Sequence, residues 1–413
     1  MNLGISEMNK ILQKLWITIF VCTSTLAIAQ DAKVPSGAIR IGVLNDQSGV
    51  YSGMGGVGSV VATKMAIEDF GGTVLGVPIE LISADHQNKT DVGSTIAREW
   101  YDIKKVDVIL DLAASNVGLA VMGIAKQKNK IVINTGSGSS RITNEDCNDR
   151  TAHWVYNTYA LAHGTGQAVL NQGGDSWYFI TADYAFGHSL EKDTTDVIKA
   201  SGGKVLGSIK HPLNASDFSS FLLQAQASGA KVIGLANAGT DAVNAIKGAK
   251  EFGLLNNKKQ QLVGLTTYVT DVHGIGVETA QGIQLTEAFY WDMNNETRTW
   301  SQRFFERHKR MPSMIQAGTY SGVMHYLKAV KAAGTSEAGA VMAKMKSTPI
   351  NDFYTKNGVL RDDGLMVHDM YLFQVKTPEQ SKSPWDLYTL KQVIPGSQAF
   401  ASLADSKCPL VKK

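Results

Sequence analysis

Residues 53–58, Gly-Met-Gly-Gly-Val-Gly, spell G-x-G-x-x-G between an apolar strand and a helical pattern. In a dinucleotide-binding unit this spacing brings a turn close to a pyrophosphate at a helix N-terminus. There the turn leaves the strand at once, whereas Gly53 lies nine residues beyond Leu44, where the predicted strand ends. The segment reads instead as a glycine-rich ligand loop whose amides, at a helix N-terminus, face an anionic group. No nicotinamide or other cofactor is expected. Asp271 and His273, two residues apart, are the nearest approach to an acid/base pair. No HExxH or GxSxG accompanies them, and the nine histidines are scattered. With no nucleophile or metal set in view, neither catalysis nor a metal site is expected.

Other candidate residues sit where predicted strands end, which is where open α/β sheets bind ligands. Ala113-Ala114-Ser115-Asn116 stands between a strand and a helix, so Ser115 or Asn116 serves as helix cap or as ligand donor. Thr135-Gly136-Ser137-Gly138-Ser139-Ser140 follows the next strand with small residues throughout. Ala182–Gly187 carries Tyr184 and Phe186. Asn237–Asp241 and Thr266–His273, the latter with Tyr268, end two later strands.

The elements that position these loops come in two arrays. Strands are predicted at 39–44, 79–84, 108–112 and 130–134, with helices at 59–70, 92–103 and 117–128. After an irregular stretch, 135–153, strands return at 177–181, 204–209, 232–237 and 261–265. Helices alternate with them at 189–200, 218–228 and 242–252. After 282–286 the chain turns helical, at 297–308, 316–333 and 338–345, and a last strand at 369–375 follows. The alternation predicts an α/β fold of two Rossmann-like doubly wound lobes. Segments near Trp154–Tyr159 and Phe289–Trp291 read as hinge strands between them.

Lys10 and Lys14 precede an apolar run, Leu15–Val21, and small residues reach Ala27-Ile28-Ala29. This is the pattern of an export signal, residues 1–29, with cleavage expected after Ala29. The run is shorter than the roughly 20 residues a spanning helix needs. Without Lys10, Lys14 and Glu7, 38 basic and 36 acidic residues remain, a balance that argues against a nucleic-acid partner. Cys22 leaves with the signal, so Cys147 and Cys408 form an even pair in an oxidising compartment and are expected to make one disulfide.

Four stretches carry a resemblance that spans the whole exported chain: IRIGVLNDQSGVYSGMGG (39–56), DYAFG (183–187), LANAGTDA (235–242) and PSMIQAGTYSGV (312–323). Together they resemble the periplasmic leucine/isoleucine/valine-binding family, the solute receptors of ABC importers. The resemblance implies lobes formed by residues 37–156 with 290–366 and by 157–289 with 367–413. Three hinge crossings would join these lobes, which close over a ligand. It implies a monomer in the periplasm, an inner-membrane ABC permease as partner, and no covalent chemistry. The family's cleft residues fall on Tyr51 and Met54, on Ala114, Ser115 and Asn116, and on Gly136, Ser137 and Gly138, whose amides and hydroxyls would hold a carboxylate. The second-lobe aromatic falls on Phe186 or Tyr184. Amino-acid binders hold the ammonium with an acidic residue in the loop matching Thr266–His273. That loop has no glutamate; it offers Tyr268, Asp271 and His273, with Asn237 and Asp241 in another cleft loop. The implied ligand is a small carboxylate, either a branched-chain or hydrophobic amino acid or an amine-free aromatic acid. A ligand-sensing receptor and a hydrolase of the same fold are the alternative readings.

Overall fold

The computed structural model describes residues 34–254 and 259–412, so the signal segment lies outside the described residues. The first array contains β1 (Ile39–Asn45), α1 (Gly56–Phe70), β2 (Thr73–Val74), β3 (Val77–Asp85), α2 (Thr90–Asp102), β4 (Val108–Asp111), α3 (Ser115–Gln127), β5 (Ile131–Asn134) and β6 (Thr151–His153). Its six-stranded sheet runs β2-β3-β1-β4-β5-β6, parallel except for the β2–β3 hairpin. β4 and β5 are buried along their whole length, as expected of parallel strands covered on both faces.

The second array begins with α4 (Thr158–Leu161), a π-helical turn and α5 (Gln167–Asn171). β7 (Ser176–Ala182), α6 (Ala185–Ala200), β8 (Lys204–His211), α7 (Ser219–Ala227), β9 (Val232–Ala236), α8 (Gly239–Glu251) and β10 (Gln261–Gly264) follow. They form a parallel sheet in the order β10-β9-β7-β8. Next come α9 (Val269–Ile275), α10 (Val277–Ala280) and β11 (Gln284–Glu287). Helices α11 (Asn295–His308), α12 (Met314–Ala333) and α13 (Ala338–Ser347) precede the short β12 (Val359–Leu360) and β13 (Met366–Val367). β14 (Met370–Val375) and β15 (Tyr388–Ile394) complete an antiparallel sheet with β11.

The long helix α12 starts where the sequence can cap it. Ser313 Oγ accepts from Gln316 N at 3.2 Å and Gln316 Oε1 accepts from Ser313 N at 3.0 Å, which satisfies two first-turn donors. Gly334, at φ +66°, ends the helix in the left-handed conformation glycine favours. Gln316 Nε2 also donates to Gly55 O at 2.9 Å, pinning α12 to the glycine-rich turn.

Three segments carry the chain between arrays: 154–157, 288–294 and 368–369. They are tied together in the core. His368 of the third bonds Val155 O of the first at 2.9 Å, and Phe289 of the second stacks on Tyr354, which in turn meets the His368 ring. Trp154 and Phe289 are fully buried there.

Most helices begin two to four residues earlier than the sequence suggests, and several elements are additional, α9 and β15 among them. Residues 269–275, expected as loop, form α9; seven residues, about two turns, are too few to show helical periodicity. β15 was expected to be irregular tail, because five of its seven residues face solvent and only backbone pairing to β14 makes it a strand. Cys147 and Cys408 are bonded, as expected, with Cα atoms 5.6 Å apart. The bond fastens the C-terminal tail to the irregular stretch after β5.

Candidate functional site: a tyrosine-lined cleft

The C-terminal ends of β1, β4 and β5 carry the loops of one wall, and those of β7, β9 and β10 the loops of the other. After β1, the Asp46 carboxylate accepts from Gly49 N at 2.6 Å, Tyr51 N at 2.8 Å and Asn88 Nδ2 at 2.6 Å. This turn places Tyr51, buried, so that its hydroxyl meets that of Tyr184 on the opposite wall. Tyr184 is the N-cap of α6, and its ring lies 6.2 Å from that of Phe186.

A second phenolic chain lies beside the first. Tyr268 donates to the Tyr156 hydroxyl at 2.8 Å, and Tyr156 donates to Gly136 O at 2.9 Å. The two rings meet edge-on at 6.2 Å. Burial, foremost, raises the pKa of Tyr51, Tyr156, Tyr184 and Tyr268 above the ordinary phenol range. All four are therefore neutral hydrogen-bonding groups on an aromatic surface. Gly138 is what lets these rings close on the first wall: a Cβ there would stand 2.6 Å from Tyr156 Cε2 and 2.8 Å from Phe186 Cε2.

On the first wall α3 begins at Ser115. Its N-cap is Ala114, with extended backbone and no side-chain cap, so neither Ser115 nor Asn116 is the cap that the sequence suggested. The uncapped first-turn amides and the helix dipole suit a carboxylate. Ser115 Oγ accepts from Ser139 N at 3.2 Å, Ser137 Oγ donates to Leu112 O, and Asn116 Nδ2 donates to Thr90 Oγ1 at 2.8 Å. Ser139 Oγ in turn meets Ser189 Oγ of α6 at 2.7 Å.

The glycine-rich loop faces an anion, but one supplied by the chain itself. A Cβ on Gly55 would lie 2.7 Å from Asp111 Oδ2, and one on Gly58 2.6 Å from Gln316 Cδ. Asn45 Nδ2 donates to Asp111 Oδ2 and to Gly56 O, both at 2.8 Å. Burial raises the Asp111 pKa to about 6. The glycines thus serve packing of α1 and α12 against the sheet. Met54 is buried in that packing, its carbonyl accepting from Ser313 Oγ.

The second-wall carboxylates are occupied to different degrees. Asp271 Oδ2 accepts from Tyr268 N at 3.0 Å, closing the first turn of α9, and burial raises its pKa to about 7. Asp241 Oδ2 accepts from Asn214 N at 3.1 Å, while its buried Oδ1 has no protein partner; burial raises its pKa to about 6. Asn237 bonds His211 Nε2 at 3.1 Å and leaves its own Oδ1 unpaired. His273 is exposed and stacks on Trp385 at 3.8 Å, away from the tyrosines. Residues i and i+2 of a helix do not face each other, so Asp271 and His273 form no acid/base pair. Among the described residues no cluster of three or more His, Cys, Asp or Glu could hold a metal ion.

A periplasmic binding protein family model matches residues 38–382. The chain belongs to the periplasmic binding protein family. This binding protein is 51% identical to a periplasmic binding protein of Burkholderia mallei, with a TM-score of 0.90 over 91% of this chain and 100% of that one. It is 39% identical to a branched-chain amino acid ABC transporter periplasmic ligand-binding protein of Burkholderia xenovorans, with a TM-score of 0.81 and the same coverage. A Rhodopseudomonas palustris ABC transporter solute-binding protein, solved with 3,4-dihydroxybenzoic acid, shares the fold: TM-score 0.78 at 20% identity, over 90% of this chain and 99% of that one.

Sequence reasoning did not single out four residues that hold these loops. Tyr156 lay within a segment read only as a hinge, although an aromatic at a hinge already borders both walls. Asp46 follows β1 and Asp111 ends β4, so both stood in plain view as acidic residues at strand ends. Ser189 carried no signal.

Proposed function

We propose that this periplasmic binding protein is the solute receptor of an ABC importer and that its ligand is a small aromatic carboxylate. The lobes would be 37–156 with 290–366 and 157–289 with 367–413, the exported chain monomeric and beginning at Gln30, and the partner an inner-membrane permease. The receptor itself does no covalent chemistry.

One observation carries the ligand class. Four tyrosines line the cleft, their hydroxyls paired with each other and with Gly136 O, while Asp271 is spent on the first turn of α9. Phenol rings suit a flat aromatic body, and their hydroxyls suit its polar substituents. The first-turn amides of α3 suit its carboxylate. Closure removes water and strengthens each of these contacts. The Rhodopseudomonas protein solved with a dihydroxybenzoate adds support by analogy of fold alone.

A second reading has its own observation. Asp241 Oδ1 is buried without a protein partner, and a buried acceptor of that kind could take the ammonium of a branched-chain or hydrophobic amino acid. Thermal-shift binding on refolded protein separates the two, using benzoate, 4-hydroxybenzoate, leucine and valine. A ligand at 100 times its Kd stabilises by about 2.7 kcal/mol. Shifts with the benzoates alone support the aromatic-acid reading, and shifts with the amino acids alone replace it with the second.

A further inference from the structure

We propose that Val50 and Thr240 form a main-chain latch that closes the lobes on its own account, and that Gly239 is the residue that admits it. Val50 belongs to the turn held by Asp46, and its carbonyl points across the cleft. It accepts from Thr240 N at 3.0 Å and from Thr240 Oγ1 at 3.4 Å, in the first turn of α8. Four donors converge on Asp46: Ser48 N, Gly49 N, Tyr51 N and Asn88 Nδ2. The acceptor is therefore presented by a turn with little freedom left.

The approach is too close for any side chain at position 239. A Cβ there would overlap the Val50 carbonyl oxygen and stand 3.0 Å from Tyr51 Cδ1. Gly239 also sits at φ +60°, a conformation glycine adopts freely. The donor is available for the same reason that the site is close. Thr240 is the second residue of α8, and amides of a first helical turn have no acceptor within their helix. The latch thus joins two groups that the fold leaves unpaired when the lobes are apart.

Both bonded atoms belong to the main chain and are spent on each other. The latch favours the closed form whatever occupies the cleft, and apparent affinity scales with the fraction of competent form. Weakening it lowers affinity for every ligand by one common factor, unlike a change in a contact residue, which discriminates among ligands.

The test uses refolded protein carrying nitroxides at Lys89→Cys and Lys247→Cys, exposed positions on the two lobes, read by pulsed electron paramagnetic resonance without ligand. Wild type shows a population at the short, closed distance. Gly239→Ala and Thr240→Pro lose it, the second by removing the amide donor at a helix position that tolerates proline. Thr240→Ala keeps the amide and keeps the population. With benzoate, 4-hydroxybenzoate and leucine, Thr240→Pro weakens whichever probes bind by the same factor, about tenfold for one hydrogen bond. Identical distance distributions in wild type and both variants overturn the latch, as do factors that differ between probes. The affinity arm rests on the proposed ligand class. If no probe binds, that class is wrong, and the distances alone still decide the latch.

Discussion

The phenol of Tyr51, on the loop after β1, meets the phenol of Tyr184, at the head of α6, hydroxyl to hydroxyl across the cleft. Each hydroxyl lies in a dry, aromatic setting where an unpaired polar group is costly. The contact joins a loop of the first array to a helix of the second. Tyr51→Phe and Tyr184→Phe should each weaken ligand binding by roughly 5–30-fold, about 1–2 kcal/mol, because each strands the partner hydroxyl. The double variant should cost less than the two singles together. Isothermal titration around that cycle measures the coupling, and strictly additive losses would show that the hydroxyls do not act as a pair.

A Cβ at Gly138 has nowhere to go between Tyr156 and Phe186. Gly138→Ala should force the two rings apart and weaken binding by about 1–3 kcal/mol, the usual cost of overpacking. The ligand-free melting temperature should fall by much less if the strain is confined to the closed cleft. Differential scanning calorimetry with and without ligand separates the two effects.

The alternation of strands and helices was legible because β4, β5 and β9 are short apolar runs between amphipathic helices. The loops at their ends followed from topology, which is why Tyr51, Tyr184 and Tyr268 could be named as candidates for the cleft. Their hydrogen-bond partners could not. Tyr268 meets Tyr156 from a residue 112 positions away, through a crossing whose geometry no local pattern encodes. Helix α9 escaped because it is too short to show periodicity, and with it the capping role of Asp271, which looked from the sequence like a free carboxylate. Pairing of Cys147 with Cys408 was legible by elimination once Cys22 was assigned to the signal segment.

That disulfide closes a loop of 261 residues. Replacing both cysteines by serine should lower stability by about 2–4 kcal/mol, read as a lower midpoint in urea. Ligand affinity should change little, since neither cysteine approaches the tyrosines. An unchanged midpoint would mean that the tail contributes nothing beyond its own packing.

Stability should fall as pH rises from 6.5 to 8. Burial raises Asp271 to about 7 and Glu287 to about 8, so the folded state holds protons that the unfolded chain has already released. A raised carboxyl pKa gives stability that is complete below the unfolded value and lost as pH rises through the folded one. The buried His86 and His153, lowered to about 4, act in the opposite sense but only below the ordinary histidine value of 6.5. Above it the carboxylates dominate. Glu287 accepts from Tyr388 at 2.8 Å and leaves Oε2 unpaired, so Glu287→Gln can keep that bond while removing the titration. Wild type should lose about 1–3 kcal/mol across this window and the variant clearly less, as followed by urea midpoints at each pH.

Asp241 offers a test between the two ligand readings. Its Oδ2 is committed to Asn214 N and its Oδ1 is buried and unpaired, with the phenols of Tyr51 and Tyr184 close enough to feel its charge. An ammonium placed there would hold the carboxylate ionised, whereas an amine-free acid would leave it favouring its proton at mildly acid pH. Asp241→Asn should therefore abolish binding of an amino acid, because a buried ammonium would lose the counter-charge of that carboxylate. For an aromatic acid it should cost at most a few-fold and flatten the pH dependence of affinity between about 5 and 7, since a group titrating near 6 has been removed. Affinity measured at pH 5, 6 and 7 for wild type and variant distinguishes these outcomes. A steep pH dependence retained by the variant would place the titrating group elsewhere, with Asp111, also raised to about 6, the next to replace.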